Sequence, residues 1–378
     1  MYSRILNPPS NKSFFLFGPR GTGKSSWVKG KFPVALYLDL LESEVHNDLL
    51  AHPQRLEKMI PAGFNDWIIL DEVQKIPELL DEVHRLIEKH RYKFVLTGSS
   101  ARKLRKKGVN LLAGRALTYH MHPLTTAELG GDFRLDHSLA FGHLPCAYTE
   151  NDPKRYLDSY VKTYLLEEVQ QEGLTRNLGA FSRFLEAASF SQGSALNISS
   201  VARDCAVERK VVENYFSIVE DLLLGFKLPV FAKRAKRRMA SHPKFYFFDA
   251  GVFRTLRPMG PLDTPEEAQG AALETLFLQE VKAVNDYSNY GYALFYWRAV
   301  TELEVDFVLY GPRGIRAFEI KRKSRIQDRD LKGLKVFLKQ YPMSKAFCLY
   351  GGERRMTDEQ IEIIPFVDAL KNLPTILS

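Results

Sequence analysis

Three short apolar runs mark the first hundred positions. Phe14-Phe15-Leu16-Phe17, Ile68-Ile69-Leu70 and Phe94-Val95-Leu96 are hydrophobic without alternation, the pattern of strands buried on both faces of a parallel sheet. Beyond residue 150 the period becomes helical. From Pro153 to Gln171, residues Tyr156, Leu157, Tyr160, Val161, Tyr164 and Leu165 recur at helix spacing, which predicts a helix lying as a lid on the preceding α/β core. Phe184, Leu185 and Ala188 define a further helix face. A short helix over Ser200–Cys205, a turn at Ala206-Val207-Glu208 and a longer helix from Arg209 to Leu224 follow. Two aromatic strands come next, Leu228-Pro229-Val230-Phe231 and Phe245-Tyr246-Phe247-Phe248. Short helix, turn, long helix and hairpin predict a winged helix.

The C-terminal third opens with an amphipathic helix over 266–285, striped by Leu273, Leu276, Phe277, Val281 and Val284. At 100° per residue, Glu274 and Glu280 fall within or beside that stripe, where an acid is costly without a partner. Residues 303–309 alternate, placing Glu302, Glu304 and Asp306 on one strand face. A hairpin closed at Pro312-Arg313 sets Asp306 opposite Glu319 and Glu304 opposite Lys321. The reading is therefore an α/β chain of four segments. These are an α/β core (1–125), a helical lid or linker (126–180), a winged helix (181–248) and a second α/β domain (249–378).

The chemistry begins at the end of the first run. Gly18-Pro19-Arg20-Gly21-Thr22-Gly23-Lys24-Ser25 fits the phosphate-loop spacing G-x-x-x-x-G-K-[ST] and is followed by Ser26 at a helix start. Glycines let backbone N–H groups close on phosphates, Lys24 reaches the β/γ-phosphates, and the Ser25 hydroxyl ligates Mg²⁺. The second run ends in Asp71-Glu72, with Asp71 expected to hold Mg²⁺ and Glu72 to polarise the attacking water. Thr97 and Ser99, at the end of the third strand, are placed to sense the γ-phosphate. Arg115 is a candidate arginine finger for a neighbouring subunit. The C-terminal acids Glu274, Asp306 and Glu319 could bind Mg²⁺ or Mn²⁺, with Lys321 orienting a water, as in a phosphodiesterase.

Composition narrows the partners. The 378 residues carry a formal charge of +8, in three basic runs at 102–107, 233–238 and 321–325. DNA is the expected polyanion. Arg209, Lys210 and Asn214 would face a groove, and Lys233, Arg234, Lys236, Arg237 and Arg238 would grip phosphates from the wing. Cys146, Cys205 and Cys348 form no metal or disulfide pattern. No apolar run reaches membrane-spanning length and no secretory h-region is present, so a cytoplasmic location is expected.

The layout resembles prokaryotic ATP-binding proteins that join an AAA-type ATPase to a winged helix and a C-terminal PD-(D/E)xK nuclease-like domain. Gly18–Ser25, Leu70-Asp71-Glu72-Val73-Gln74-Lys75-Ile76-Pro77, Leu96–Ser100, Leu112–Arg115, Phe245–Gly251, Leu273-Glu274, Glu304–Phe307 and Glu319-Ile320-Lys321 carry the likeness. The resemblance implies that 1–125 is a P-loop ATPase core of the ASCE class, that 249–378 is a nuclease-like domain with a restriction-endonuclease-like core, and that Glu274, in preference to Glu280, is the helix acid. Together these features predict an ATP-hydrolysing, DNA-binding homo-oligomer with an Mg²⁺-dependent nuclease domain. The competing reading is a nucleotide-controlled switch, scaffold or defence regulator whose nuclease-like domain only binds DNA or a protein partner.

Overall fold

The computed structural model describes residues 2–100, 104, 112–171, 175, 177–232, 242–260, 265–299 and 303–378. Packing divides the chain into two compact units, 3–122 with 221–224, and 123–220 with 225–378. Among the described residues no helix is long and apolar enough to cross a membrane.

The first unit is a five-stranded parallel sheet. Its strands are β1 (Ser13–Phe17), β2 (Leu36–Asp39), β3 (Trp67–Asp71), β4 (Lys93–Gly98) and β5 (Ala116–His120), in the order β2-β3-β4-β1-β5. The three apolar runs are β1, β3 and β4, and β1 and β3 are buried along their whole length. Their side chains supply both faces of the sheet. Phe15, Phe17, Ile68, Leu70, Phe94 and Leu96 enter one core with Leu79, Val83 and Leu86 of the helix Leu79–His90. Phe14 packs on Trp67 with ring centroids 5.7 Å apart. The strand that ends in hydroxyl residues, β4, lies between the phosphate-loop strand β1 and the acidic strand β3.

The second unit begins with helices. The segment expected as a lid folds as Pro153–Ser159, a π-turn at Tyr160–Tyr164 and a helix Leu165–Gln171. It packs within this unit, where Leu157, Tyr160, Leu165 and Val169 are buried, because its apolar stripe is covered by neighbouring helices such as Ala250–Leu256. The helices Leu178–Ser189, Ile198–Cys205 and Arg209–Asp221 follow. Asn197 caps the second, accepting from Ser200 N–H at 3.1 Å, and Ala206 ends it in a left-handed conformation. Phe184 of the first packs on Tyr215 and Phe216 of the third.

The hairpin after these helices differs from the expected one. Strand β6 is Gly225–Leu228 and pairs antiparallel with β7 (Lys244–Phe247). Pro229, which has no N–H, ends that ladder. Val230 and Phe231 turn to the C-terminal sheet instead, where Phe231 N–H donates to Tyr296 O at 2.6 Å. The basic run at 233–238 lies outside the described residues.

The C-terminal sheet contains β8 (Ala293–Arg298), β9 (Glu304–Gly311), β10 (Gly314–Lys321), β11 (Lys345–Tyr350), β12 (Met356–Asp358) and β13 (Ile361–Pro365). The order is β12-β13-β11-β10-β9-β8. One face is covered by the helix Pro265–Tyr287 through Leu273, Leu276, Phe277 and Val281. The other is covered by the helix Asp328–Gln340 through Leu331, Leu334 and Phe337.

The β9–β10 hairpin closes as expected, with Gly311 opposite Gly314 and Phe307 opposite Phe318. Strict alternation in β9 does not hold. Two steps of β8 (Phe295 to Trp297) face three of β9 (Val308 to Val305), so β9 carries a bulge at its acidic end. Bulges re-aim side chains near functional sites. The backbone ladder stops at Phe307, and the Asp306 carboxylate takes the next N–H, that of Ile320, at 2.8 Å. Glu302 lies outside the described residues.

Candidate functional site

Two constellations gather most of the residues singled out by sequence. The first lies at the C-terminal ends of β1, β3 and β4, where open parallel sheets bind ligands. Gly21 and Gly23 adopt φ values of 82° and 89°, open to glycine and strained for other residues. A Cβ on Gly18 would lie 2.3 Å from Met121 O. Lys24 spans the loop from inside, 5% exposed, donating to Gly18 O at 2.7 Å and Pro19 O at 3.2 Å. Thr22 Oγ1 donates to Pro19 O at 2.8 Å. Ser26 is exposed, and Arg20 is partly buried.

Around this loop the polar groups form one hydrogen-bonded set. Asp71 accepts from the hydroxyls of Tyr37 and Thr97. Ser25 bonds to the same Tyr37 hydroxyl, and burial together with Asp71 raises that phenol well above its ordinary range. Glu72 sits at φ 61° and ψ 45°, an uncommon conformation for a non-glycine and one found at functional sites. Its carboxylate accepts from Gln74 Nε2, which also donates to Ser99 Oγ at 3.0 Å. Tyr37 and Gln74 were given no role by sequence reasoning; a tyrosine two residues before Asp39 and a glutamine in an Asp-Glu-Val-Gln run were their only signals.

Ser25 and Asp71 meet at one hydroxyl and are hard oxygen donors, so they fit Mg²⁺, which prefers such ligands. Arg115 forms an ion pair with Glu88 at 2.5 Å on the surface of the first unit.

The second constellation belongs to the C-terminal sheet. Asp306 and Glu319 are 9% and 7% exposed. Glu319 Oε1 accepts from Lys321 Nζ at 2.5 Å, and its Oε2 is buried with no hydrogen-bond partner. Glu274, on the helix Pro265–Tyr287, accepts from the Tyr246 hydroxyl at 2.8 Å. Burial next to Asp306 raises Glu274 to about 7 and Glu319 to about 8. Lys244, at the start of β7, reaches Glu304 Oε2 at 3.1 Å and Asp306 Oδ1 at 4.0 Å. Burial lowers both Lys244 and Lys321, but the surrounding carboxylates outweigh it and hold them above the ordinary lysine range. Lys244 was missed. Its signal was a lysine two positions from Tyr246 in an otherwise aromatic strand.

Glu280 does not join this cluster. It is 2% exposed and accepts from Thr126 N–H at 2.6 Å and Thr126 Oγ1 at 2.9 Å, with His143 Nδ1 at 3.5 Å. That is the service of a cap, which explains a buried acid on the core side of a helix. Among the described residues no three His, Cys, Asp or Glu side chains converge to hold a metal ion.

Arg209, Lys210 and Asn214 are exposed on their helix, with Arg209 paired to Glu213 at 2.9 Å. Lys233, Arg234, Lys236, Arg237 and Arg238 lie outside the described residues. In the third basic run Lys321 and Lys323 are committed to Glu319 and Asp330, while Arg322 and Arg325 are exposed.

Residues 10–130 match the model of a family described as an AAA domain. The first unit is therefore a P-loop AAA-type domain, a nucleotide-binding fold. Residues 132–263 match a domain of unknown function, DUF8612, and residues 269–368 another, DUF4143. Uncharacterized proteins of Mycobacterium bovis and Mycobacterium tuberculosis are each 26% identical over 351 residues, covering 90% of this chain and 76% of theirs. One from Haemophilus influenzae is 20% identical over 264 residues, covering 65% of this chain and 66% of its own. A structure of the Aeropyrum pernix ORC1 protein in complex with DNA aligns over 66% of this chain and 87% of its own, at 15% identity and a TM-score of 0.26.

Proposed function

We propose that this protein hydrolyses ATP and couples the hydrolysis to binding DNA. The observation that carries the first half is the set of Lys24, Ser25, Asp71, Glu72, Thr97 and Ser99, bound around one glycine loop by Tyr37 and Gln74. Bound Mg²⁺ would neutralise the phosphates and polarise the γ-phosphoryl group. Ser25 and Asp71 are the residues to hold it, Lys24 to steady the β/γ-phosphates, and Glu72 to orient water. Gln74 keeps the Glu72 carboxylate aimed, and Thr97 fixes Asp71.

DNA binding is supported by the exposed Arg209, Lys210 and Asn214 at the start of the second helix of a helix-turn-helix, the part that enters a groove in that motif. The winged-helix reading includes the basic run 233–238. The test is fluorescence anisotropy with labelled duplex, with and without ATP, across a salt series. Alanine at Arg209 and Lys210 together should weaken binding and flatten its salt dependence by up to ~2 in log–log slope. Unchanged affinity and slope would remove this helix from the DNA surface.

A second reading, that the C-terminal unit is a DNA nuclease of the PD-(D/E)xK type, is favoured by Asp306, Glu319 and Lys321 on neighbouring strands and by the unpartnered Glu319 oxygen. The site as it stands does not fit a divalent ion. Lys244 lies among its carboxylates, and no three donors converge. Incubating labelled single- and double-stranded DNA with Mg²⁺ or Mn²⁺, beside Asp306→Ala and Lys321→Ala, decides the matter. Cutting lost in both variants supports the nuclease; no cutting by the wild type removes it.

A further inference from the structure

Strand β7 reads Lys244-Phe245-Tyr246-Phe247, and nothing in aromatic packing asks for a cation at its first position. Yet the Lys244 side chain is 6% exposed, with its ammonium between Glu304 at 3.1 Å and Asp306 at 4.0 Å. The ring of Tyr296 closes another side at 5.4 Å, a favourable place for an ammonium. The Tyr296 hydroxyl donates to His242 O at 2.6 Å and so holds the chain just before Lys244. From the helix Pro265–Tyr287 comes Glu274, hydrogen-bonded to Tyr246 on the same strand as Lys244. From β10 comes Glu319, whose second oxygen is buried without a partner. Carboxylates from the helix and β9 thus surround a compact point charge supplied from outside the nuclease-like sheet, while Glu319 of β10 is held by Lys321.

We propose that Lys244 is the resident cation of this acidic cluster, standing where a divalent metal ion would sit and excluding it until the start of β7 moves away. The inference rests on the reading of Glu274, Asp306 and Glu319 as a metal-binding set. It accounts for part of the misfit noted above: a cationic side chain stands beside Glu304 and Asp306, in addition to Lys321 on Glu319. Mg²⁺ and Mn²⁺ require several oxygen ligands at once, and a fixed ammonium beside those oxygens repels a dication as well as blocking it. Lys244 is the end residue of its ladder with β6, paired with Leu228. It also bridges Ala195, next to Pro243 O, which accepts from Leu196 N–H at 2.8 Å, so releasing it requires both the hairpin end and this bridge to open.

The test measures Mn²⁺ binding by loss of the free-ion electron paramagnetic signal, with full-length protein and no nucleotide. Asp71→Asn is present throughout to silence the nucleotide site. Lys244→Met should bind Mn²⁺ about tenfold tighter or more than the parent. Lys244→Arg keeps the charge and should bind as weakly as the parent. Adding Asp306→Asn to Lys244→Met should abolish the gain. Equal affinity of the parent and Lys244→Met would overturn the proposal.

A measurement without substitution guards against misfolding of Lys244→Met. Mn²⁺ should raise acylation of Lys244 by an amine reagent, read by peptide mass spectrometry, and an unchanged yield at saturating Mn²⁺ would also overturn it. DNA cleavage assayed on the same samples separates the two readings. Tighter metal binding without cutting sustains Lys244 as the excluding cation and removes the nuclease.

Discussion

Replacing Asp249 by alanine should cost the second unit several kcal/mol. Asp249 is fully buried and sits just before the helix Ala250–Leu256. One oxygen accepts from Gly251 N–H at 2.9 Å and Val252 N–H at 3.0 Å; the other accepts from His143 N–H at 2.7 Å. The junction has no slack for rearrangement: a Cβ on Gly142 would lie 2.0 Å from Asp249 Oδ1, and one on Gly251 2.1 Å from Phe141 O. Alanine strands three buried donors, each worth about 1–3 kcal/mol. Burial already raises the Asp249 carboxyl, so removing it returns part of that cost, and the net loss is about 3–5 kcal/mol. Asparagine keeps an oxygen on the helix N-terminus but turns an N–H₂ toward His143 N–H, costing about 1–3 kcal/mol. Because the chain has two compact units, a single unfolding free energy is not defined. The assay is urea-dependent hydrogen exchange of peptides covering 135–143 and 250–256. A loss below about 1 kcal/mol for alanine, or asparagine worse than alanine, would refute the reasoning.

Burial raises Glu319 and Glu274, so the folded chain holds protons there that the unfolded chain has released. Stability from these groups is fully present at low pH and is lost as pH rises from the ordinary carboxylate range through about 7 and 8. In chelator, urea midpoints of the second unit should fall over that window, and Glu319→Gln should flatten the fall. Gly98→Ala would place a Cβ 2.4 Å from Gln74 Oε1, displacing the side chain that holds Glu72. ATP turnover should drop about tenfold or more, with circular dichroism unchanged; normal turnover would remove Gln74 from the site. If Arg115 serves a neighbour, mixing inactive Arg115→Ala with inactive Lys24→Ala should restore part of the turnover, and no restoration argues against a finger in trans.

The nucleotide site was legible because its chemistry is written in contiguous residues. A glycine loop after an apolar strand, and two acids after another, leave few alternatives. What the sequence did not show was the support. Tyr37 and Gln74 matter through partners 34 and 25 residues away, and no local pattern records that. The hairpin register of β9 and β10 followed from its turn, yet the bulge that bends Asp306 toward Ile320 did not, since a bulge leaves alternation in the sequence intact. Glu280 and Glu274 looked alike on a helical projection. Only Thr126, 154 residues away, makes one a cap and leaves the other for the cluster. Pro229 should have been decisive for β6, because a proline within a run cannot donate to a ladder.

Steady-state ATP turnover with Mg²⁺, measured on the wild type beside Lys24→Ala and Glu72→Gln, bears most directly on the central claim. The account predicts measurable turnover in the wild type and its loss in both variants, with Glu72→Gln still binding ATP, since Glu72 acts on water and Lys24 on phosphate. Turnover that persists in Lys24→Ala, or a wild type that binds no nucleotide, would contradict it.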